Sequence, residues 1–240
     1  MENKHRDVDF LGIGCGKLVV VACDSCGAIG LKENDIVKVP CHITGKYTAR
    51  VCIMEVLSTG ADIAGITVSI CNEPDPTGDE IIKGIRDELG EIGAEIPVTV
   101  STEKNMETSM TALGVTAIGA ICEEDVLMHR VKSGDYVYAI GVPSVGEEVL
   151  ANEKSIANAS LVLRLLKLEN VREIIPVGSS GIKGELAGLS KAEGLEIEYV
   201  KNLHIEIEKS AGPCTAVIVI SYGTISDEIG CPVNLVGKII

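Results

Sequence analysis

The residues best suited to chemistry fall in four short segments. The first is Val21-Ala22-Cys23-Asp24-Ser25, where Asp24 emerges from an apolar run. A carboxylate at the end of a buried strand is costly unless it is paired or holds a cation. A Mg2+ ion on a nucleotide phosphate needs oxygen ligands of this kind. Asp24 can equally bond backbone amides in the turn Gly27-Ala28-Ile29-Gly30, as an Asx-turn. The residues alone leave both readings open. The second segment runs from Arg50 to Ala61 and contains Glu55, which lies off the apolar stripe and by itself reads as part of a solvated helix face. The third, Ser101-Thr102-Glu103-Lys104-Asn105, puts a hydroxyl, a carboxylate, an ammonium and an amide in a loop after a strand. Such loops commonly carry catalytic groups, and commonly carry none. The fourth, Gly178-Ser179-Ser180-Gly181, is a strand-to-helix turn whose amides can hold an anion. It lacks the Lys-Ser/Thr ending of a P-loop and the full G-x-G-x-x-G pattern, so a plain helix start is the favoured reading.

Other reactive residues form weaker patterns. The nine cysteines are scattered through apolar stretches and read as reduced, mostly structural thiols. Cys23-Asp24-Ser25-Cys26 has redox or metal spacing, but it ends a strand and no second C-x-x-C exists. The four histidines, His5, His42, His129 and His204, show no metal-like spacing.

The elements that must position these groups follow from periodicity. Lys17–Cys23, Ile36–Val39, Ile63–Cys71, Ile96–Ser101, Gly114–Cys122 and Tyr136–Val142 read as strands. Thr44 to Ala61 reads as a helix with a stripe through Ala49, Cys52, Ile53, Val56 and Leu57, stopped by Gly60. Thr77 and Glu80 form a capping-box pattern ahead of a helix through Ile81, Ile85 and Leu89. Further on, Ser155–Leu168 and Ile182–Ala192 read as helices. Val171–Val177, Leu195–Val200, Ala216–Ser221 and Asn234–Ile239 read as strands. The pattern changes near Pro143, which puts a domain boundary at about Val142 and gives domains 1–142 and 143–240. The mixture is not a strict βαβ alternation, so the expected class is α+β.

Composition excludes several roles. A net charge of -14 repels phosphate backbones and anionic lipid, which argues against nucleic-acid and membrane partners. With one Phe, five Tyr and no Trp, base stacking on aromatic platforms is disfavoured. Met1 to Asp9 shows no apolar run behind a basic stretch, and no run is long enough to span a bilayer, so a cytoplasmic protein is expected.

The order of these segments resembles the aminoimidazole-ribonucleotide synthetase superfamily, which includes thiamine-monophosphate kinase, selenophosphate synthetase and a hydrogenase-maturation dehydratase. The resemblance lies in the strand-borne Asp24, a helix ending in Gly60-Ala61, and a polar loop leading to Gly114-Val115-Thr116-Ala117-Ile118-Gly119. Ser133-Gly134-Asp135 and Asn234 to Ile239 continue it through nearly the whole chain. It implies a two-domain α+β fold, ATP with Mg2+, a small-molecule substrate, and a homodimer whose N-terminal domains pair to close a barrel-like sheet. Carried over by position, Asp24, Glu55 and Glu103 match metal carboxylates. Ser25, Thr102 and Asn105 fall in the nucleotide-binding segments, and Lys104 or Arg50 would stabilise a transferring phosphoryl group. Ala22 to Ser25, Ala49 to Leu57 and Val100 to Asn105 look most like the short α-ribazole kinases of cobamide salvage. The chain departs from the family in its acidic content. Gly12 to Gly16 carries no carboxylate, and Gly178 to Gly181 replaces an Asp-rich turn. Another ATP-using enzyme of this build, thiamine-monophosphate kinase-like or a synthetase, and a non-catalytic nucleotide-binding relic therefore stand as alternatives.

Overall fold

The structure, a computed structural model, describes residues 6–240. His5 and the first part of the amino-terminal stretch read for targeting lie outside the described residues. The chain divides into two units, one of residues 8–56 and 61–124, the other of residues 6–7, 57–60 and 125–240.

The first unit opens on a hairpin that the sequence reading lacked. Strand β1 (Val8–Gly14) pairs antiparallel with β2 (Lys17–Gly27). The turn Gly14-Cys15-Gly16 has φ of 88°, 55° and 67°, and glycine on either side of Cys15 makes that left-handed backbone accessible. A short parallel pair follows, β3 (Ile29–Gly30) and β4 (Val37–Lys38). Then come α1 (Cys41–Ser58), β5 (Asp62–Ile70), α2 (Asp79–Glu91), β6 (Val98–Thr102) and β7 (Ala112–Cys122). The strands form one sheet in the order β1-β2-β7-β5-β6, with only β5–β6 parallel.

Alternation sorts this sheet into two faces. Val20, Ala22, Ile66, Val68, Val115 and Ala117 are buried on one side. There α1 lies on β7, with the Cys52 thiol 3.2 Å from the Val115 carbonyl. The apolar residues Ile81, Ile85 and Leu89 of α2 are buried, and α2 crosses α1 at close range. A Cβ on Gly84 would stand 1.8 Å from the His42 carbonyl oxygen, and one on Gly45 2.2 Å from that of Ile81.

Two expectations fail here. Helix α1 is buried nearly all round, so Glu55 (6% exposed) is not on a solvated face. The capping box is also absent. An irregular helical turn, Pro74–Gly78, runs directly into α2, so Thr77 lies inside it and its hydroxyl donates to Glu73 rather than capping the helix.

In the second unit lie β8 (Tyr136–Gly141), α3 (Glu148–Ala151), α4 (Ala159–Leu165), β9 (Val171–Pro176), α5 (Gly181–Glu193), β10 (Ile197–Tyr199), β11 (Ala216–Ser221) and β12 (Val233–Ile239). Their sheet runs β10-β12-β8-β11-β9, all antiparallel. Val137, Ala139, Ile218, Ile220 and Val236 form a core with Ile182, Leu186 and Leu189 of α5. Helix α4 is shorter than expected because Asn158 is extended and caps it, its Oδ1 accepting from the Leu161 amide at 2.8 Å.

The unit division falls at Glu124/Asp125 rather than near Val142. Strand β8 is flanked on both sides by β12 and β11, so Tyr136–Gly141 belongs to the second sheet and not to the end of the first. Among the described residues no helix is long and apolar enough to cross a membrane.

Candidate functional site

The open face of the first unit's sheet carries a shallow cavity of about 350 Å3. Cys23, Asp24 and Ser25 of β2, Thr67 and Ser69 of β5, and Gly114, Val115 and Thr116 of β7 line it. Register explains the lining. Cys23 pairs with Thr116 and Thr116 with Thr67, while Ser25 pairs with Gly114 and Gly114 with Ser69. Paired residues project from the same face, so hydroxyl-bearing side chains stand side by side across three strands. Of these residues the sequence reading named only Asp24 and Ser25 as site residues, although it considered Cys23 for its spacing and Gly114 to Thr116 for the family resemblance. The alternation Thr67-Val68-Ser69 was visible in the sequence. The alignment of β2, β7 and β5 was not.

Asp24 and Ser25 separate at this point. Successive strand residues face opposite ways, and Asp24 alternates with exposed Cys23 and Ser25. The Asp24 charge bears instead on Cys52 of α1 and on Cys26. Burial pushes the Cys52 thiol up, and Asp24 adds to the shift. Burial likewise pushes up Cys26, again with Asp24 contributing. The C-x-x-C spacing is also resolved by geometry. It lies within β2 rather than at its end, and three residues along a strand put exposed Cys23 and half-buried Cys26 on opposite faces.

Arg50 is not placed to meet a phosphoryl group. It is 3% exposed, and its guanidinium holds Glu88 of α2 side-on at 2.9 and 2.8 Å. It also lies 4.5 Å over the Tyr47 ring. Burial alone would lower its pKa, but Glu88 outweighs that and raises it. The residue is a tie between the two helices.

The segment after β6 forms a tethered loop. Thr102 ends the strand opposite Ile70. The Glu103 carboxylate accepts from the Asn105 amide at 2.7 Å and the Met106 amide at 3.2 Å, which holds it below the usual carboxylate range. Lys104 and Asn105 are exposed. Farther along, buried Asn72 donates to Thr108 and to the Met110 carbonyl and accepts from the Ala112 amide. Buried Asp35 accepts from the Lys32 amide and from both the amide and hydroxyl of Thr111 at 2.7–2.8 Å. Burial would raise the Asp35 carboxyl, yet these bonds outweigh it and hold it low. Neither Asn72 nor Asp35 was singled out in the sequence, because the partners that distinguish them, Lys32 of Asp35 aside, lie 36 to 76 residues away.

Among the described residues no three His, Cys, Asp or Glu side chains are grouped to hold a metal ion. Asp24, Glu55 and Glu103 thus do not assemble as the three-carboxylate set that the family resemblance implies. The turn Gly178–Gly181 is also accounted for internally. Glu185 of α5 accepts from the Ser180 hydroxyl at 2.6 Å and the Gly178 amide at 3.3 Å, placing a carboxylate where an anion would sit.

No family model matches the chain, and no curated protein does. Solved structures do. The two sheets and their helices form an α+β fold that solved structures share over nearly the whole chain. A HypE–HypF complex matches at TM-score 0.67 and 17% identity, over 100% of this chain and 90% of that one. Thiamine-monophosphate kinase from Stenotrophomonas maltophilia K279a matches at 0.69 and 14%, over 98% and 89%. AaThiL complexed with AMPPCP and TMP matches at 0.67 and 13%, over 100% and 86%.

Proposed function

We propose that the chain is an ATP-dependent phosphotransferase acting on a small nucleoside-like acceptor, with α-ribazole of cobamide salvage as the candidate. One observation carries this reading. The fold is shared along the full chain with thiamine-monophosphate kinase, of which one similar structure holds an ATP analogue and TMP. In this reading the cytoplasmic enzyme positions ATP and acceptor and stabilises the transferring group electrostatically. Asp24, set against α1, and Glu55, buried on α1, are the donors for a Mg2+ ion that arrives with the nucleotide. That ion is commonly held by one or two carboxylates plus phosphates. Glu103 is a loop-shaping residue, because its carboxylate already serves two amides. Lys104 is the cation for the transferring group, since Arg50 is held by Glu88. Ser25, Thr102 and Asn105 supply neutral hydrogen-bonding groups. A homodimer is part of the proposal, supported by Leu11 (55% exposed) and Ile13 (62%) on edge strand β1.

The test is ADP release with ATP, Mg2+ and purified α-ribazole, using thiamine monophosphate as the competing acceptor. Turnover with α-ribazole, lost in Lys104→Ala and Asp24→Asn, supports the reading. No turnover above background while ATP binds removes the α-ribazole assignment. A second reading is a nucleotide-binding protein without catalysis, favoured by the internal use of Arg50 and Glu103. Calorimetry with Mg-ATP tests it, and binding without turnover on either acceptor is its expected signature.

A further inference from the structure

We infer that a second cavity of the first unit, at the carboxyl end of α2, binds a small zwitterion with an apolar side chain, of the class of the branched-chain or aromatic α-amino acids. The cavity uses none of the residues given a role in phosphoryl transfer, so this inference goes beyond that reading and stands independently of it.

The cavity holds about 400 Å3 and is lined by Arg86, Leu89 and Gly90 of α2 and by residues 94–98, which lead into β6. That volume falls in the range of small-molecule clefts. Local structure explains the opening. Residues 86, 89 and 90 are neighbours on the helix surface at spacings of three and four. Leu89 is buried, and Gly90 has nothing within 4 Å of where a Cβ would stand, so the helix leaves a gap beside Arg86. On the other side Pro97 favours an extended Ile96. Ile96 and Val98 are half-buried, whereas Glu95 and Pro97 are exposed.

Two opposite charges line this cavity without meeting. Among the described residues, neither Arg86 nor Glu95 makes an ion pair or a side-chain hydrogen bond. One is carried by the helix and the other by the strand's approach, and a ligand with a charge at each end can bridge them. The Arg86 guanidinium suits a carboxylate, which it can hold with two parallel bonds. Glu95 suits an ammonium. Leu89 and Gly90 belong to the last turn of α2, where the helix dipole is negative and also favours a cation. The wall of Leu89, Ile96, Pro97 and Val98 takes a hydrocarbon side chain. A polyanion would meet Glu95 as a like charge. A wholly apolar ligand would strip water from both charges and return no partner.

Isothermal titration of the full chain with leucine and phenylalanine tests the proposal. Leucinamide, which lacks the carboxylate, and N-acetyl-leucine, which lacks the ammonium, are titrated beside them. The amino acids are expected to bind, and each derivative about tenfold more weakly, the loss of one charged hydrogen-bonding end. Arg86→Ala should bring leucine down to the affinity of leucinamide, and Glu95→Gln to that of N-acetyl-leucine. Gly90→Leu, which puts a side chain into the cavity, should abolish binding. All three positions are exposed, and unfolding midpoints without ligand check that each variant is intact. The two charge variants carry the test if Gly90→Leu does not fold. No binding of either amino acid at millimolar concentration overturns the proposal. So does equal affinity for leucine and its two derivatives, which would make the cavity an unselective apolar groove. Unchanged selectivity in folded Arg86→Ala and Glu95→Gln overturns it as well. A fall in molecular mass in those variants, with no effect on leucine affinity, also overturns it, since the cavity would then be a contact between copies.

Discussion

At the scale of single residues, charge is used in two ways in this protein. Arg50 and Glu88 form a bidentate pair with almost no exposure, tying α1 to α2. Removing one member strands the other in an apolar layer. Arg50→Ala should therefore cost about 3–5 kcal/mol in urea unfolding, and Arg50→Met with Glu88→Leu should recover most of it. A large kcat loss in that double variant, with stability restored, would return Arg50 to the chemistry. Asp35 works through the backbone instead, receiving amides from Lys32 and Thr111. Its folded pKa is lowered, so its contribution is complete above the unfolded carboxylate range. It fades as pH falls through the lower folded value. Asp35→Asn should lose about 1–3 kcal/mol at pH 7 by leaving amide donors poorly matched. The gap from the parent should shrink below about pH 4 in acid unfolding curves.

The elements show why spacing misled in some places. The C-x-x-C pair, the Thr77–Glu80 pattern and the Glu55 position were each read against an element that the chain does not form in that way. Extended β2 separates the thiols, a preceding turn absorbs Thr77, and α1 is covered on nearly all sides. The α1–α2 crossing rests on glycine for a physical reason. With Gly84 so close to the His42 carbonyl, Gly84→Ala must push the helices apart. A loss of about 2–3 kcal/mol, comparable with overpacking a core, is expected in thermal or urea unfolding. Gly90, which has open space around its Cβ position, should accept alanine with little change or a small gain. Equal behaviour of the two variants would refute the close crossing.

At the scale of the whole molecule, the chain is two sheets with their own helices, and the division lies at an exposed segment, Glu123–Asp125. Limited digestion with a Glu-specific protease should cut first at Glu123 or Glu124. No early cut is expected between Tyr136 and Gly141, a strand paired on both sides. Mass spectrometry of the fragments checks this. The sequence by itself determined the strand and helix content, the α+β class and the resemblance in segment order, because those follow from local periodicity and turn chemistry. It also pointed to Asp24, Ser25 and the loop through Glu103, which are marked by polar groups interrupting apolar runs. Tertiary structure alone decided which of them meet. Pairing of β2, β7 and β5 brought Thr67, Ser69 and Thr116 beside Ser25, while strand alternation sent Asp24 to the helix side. Likewise, only packing could reveal that Arg50 is held by Glu88, 38 residues away. Such pairings join residues distant along the chain and depend on register and burial, which no local pattern encodes.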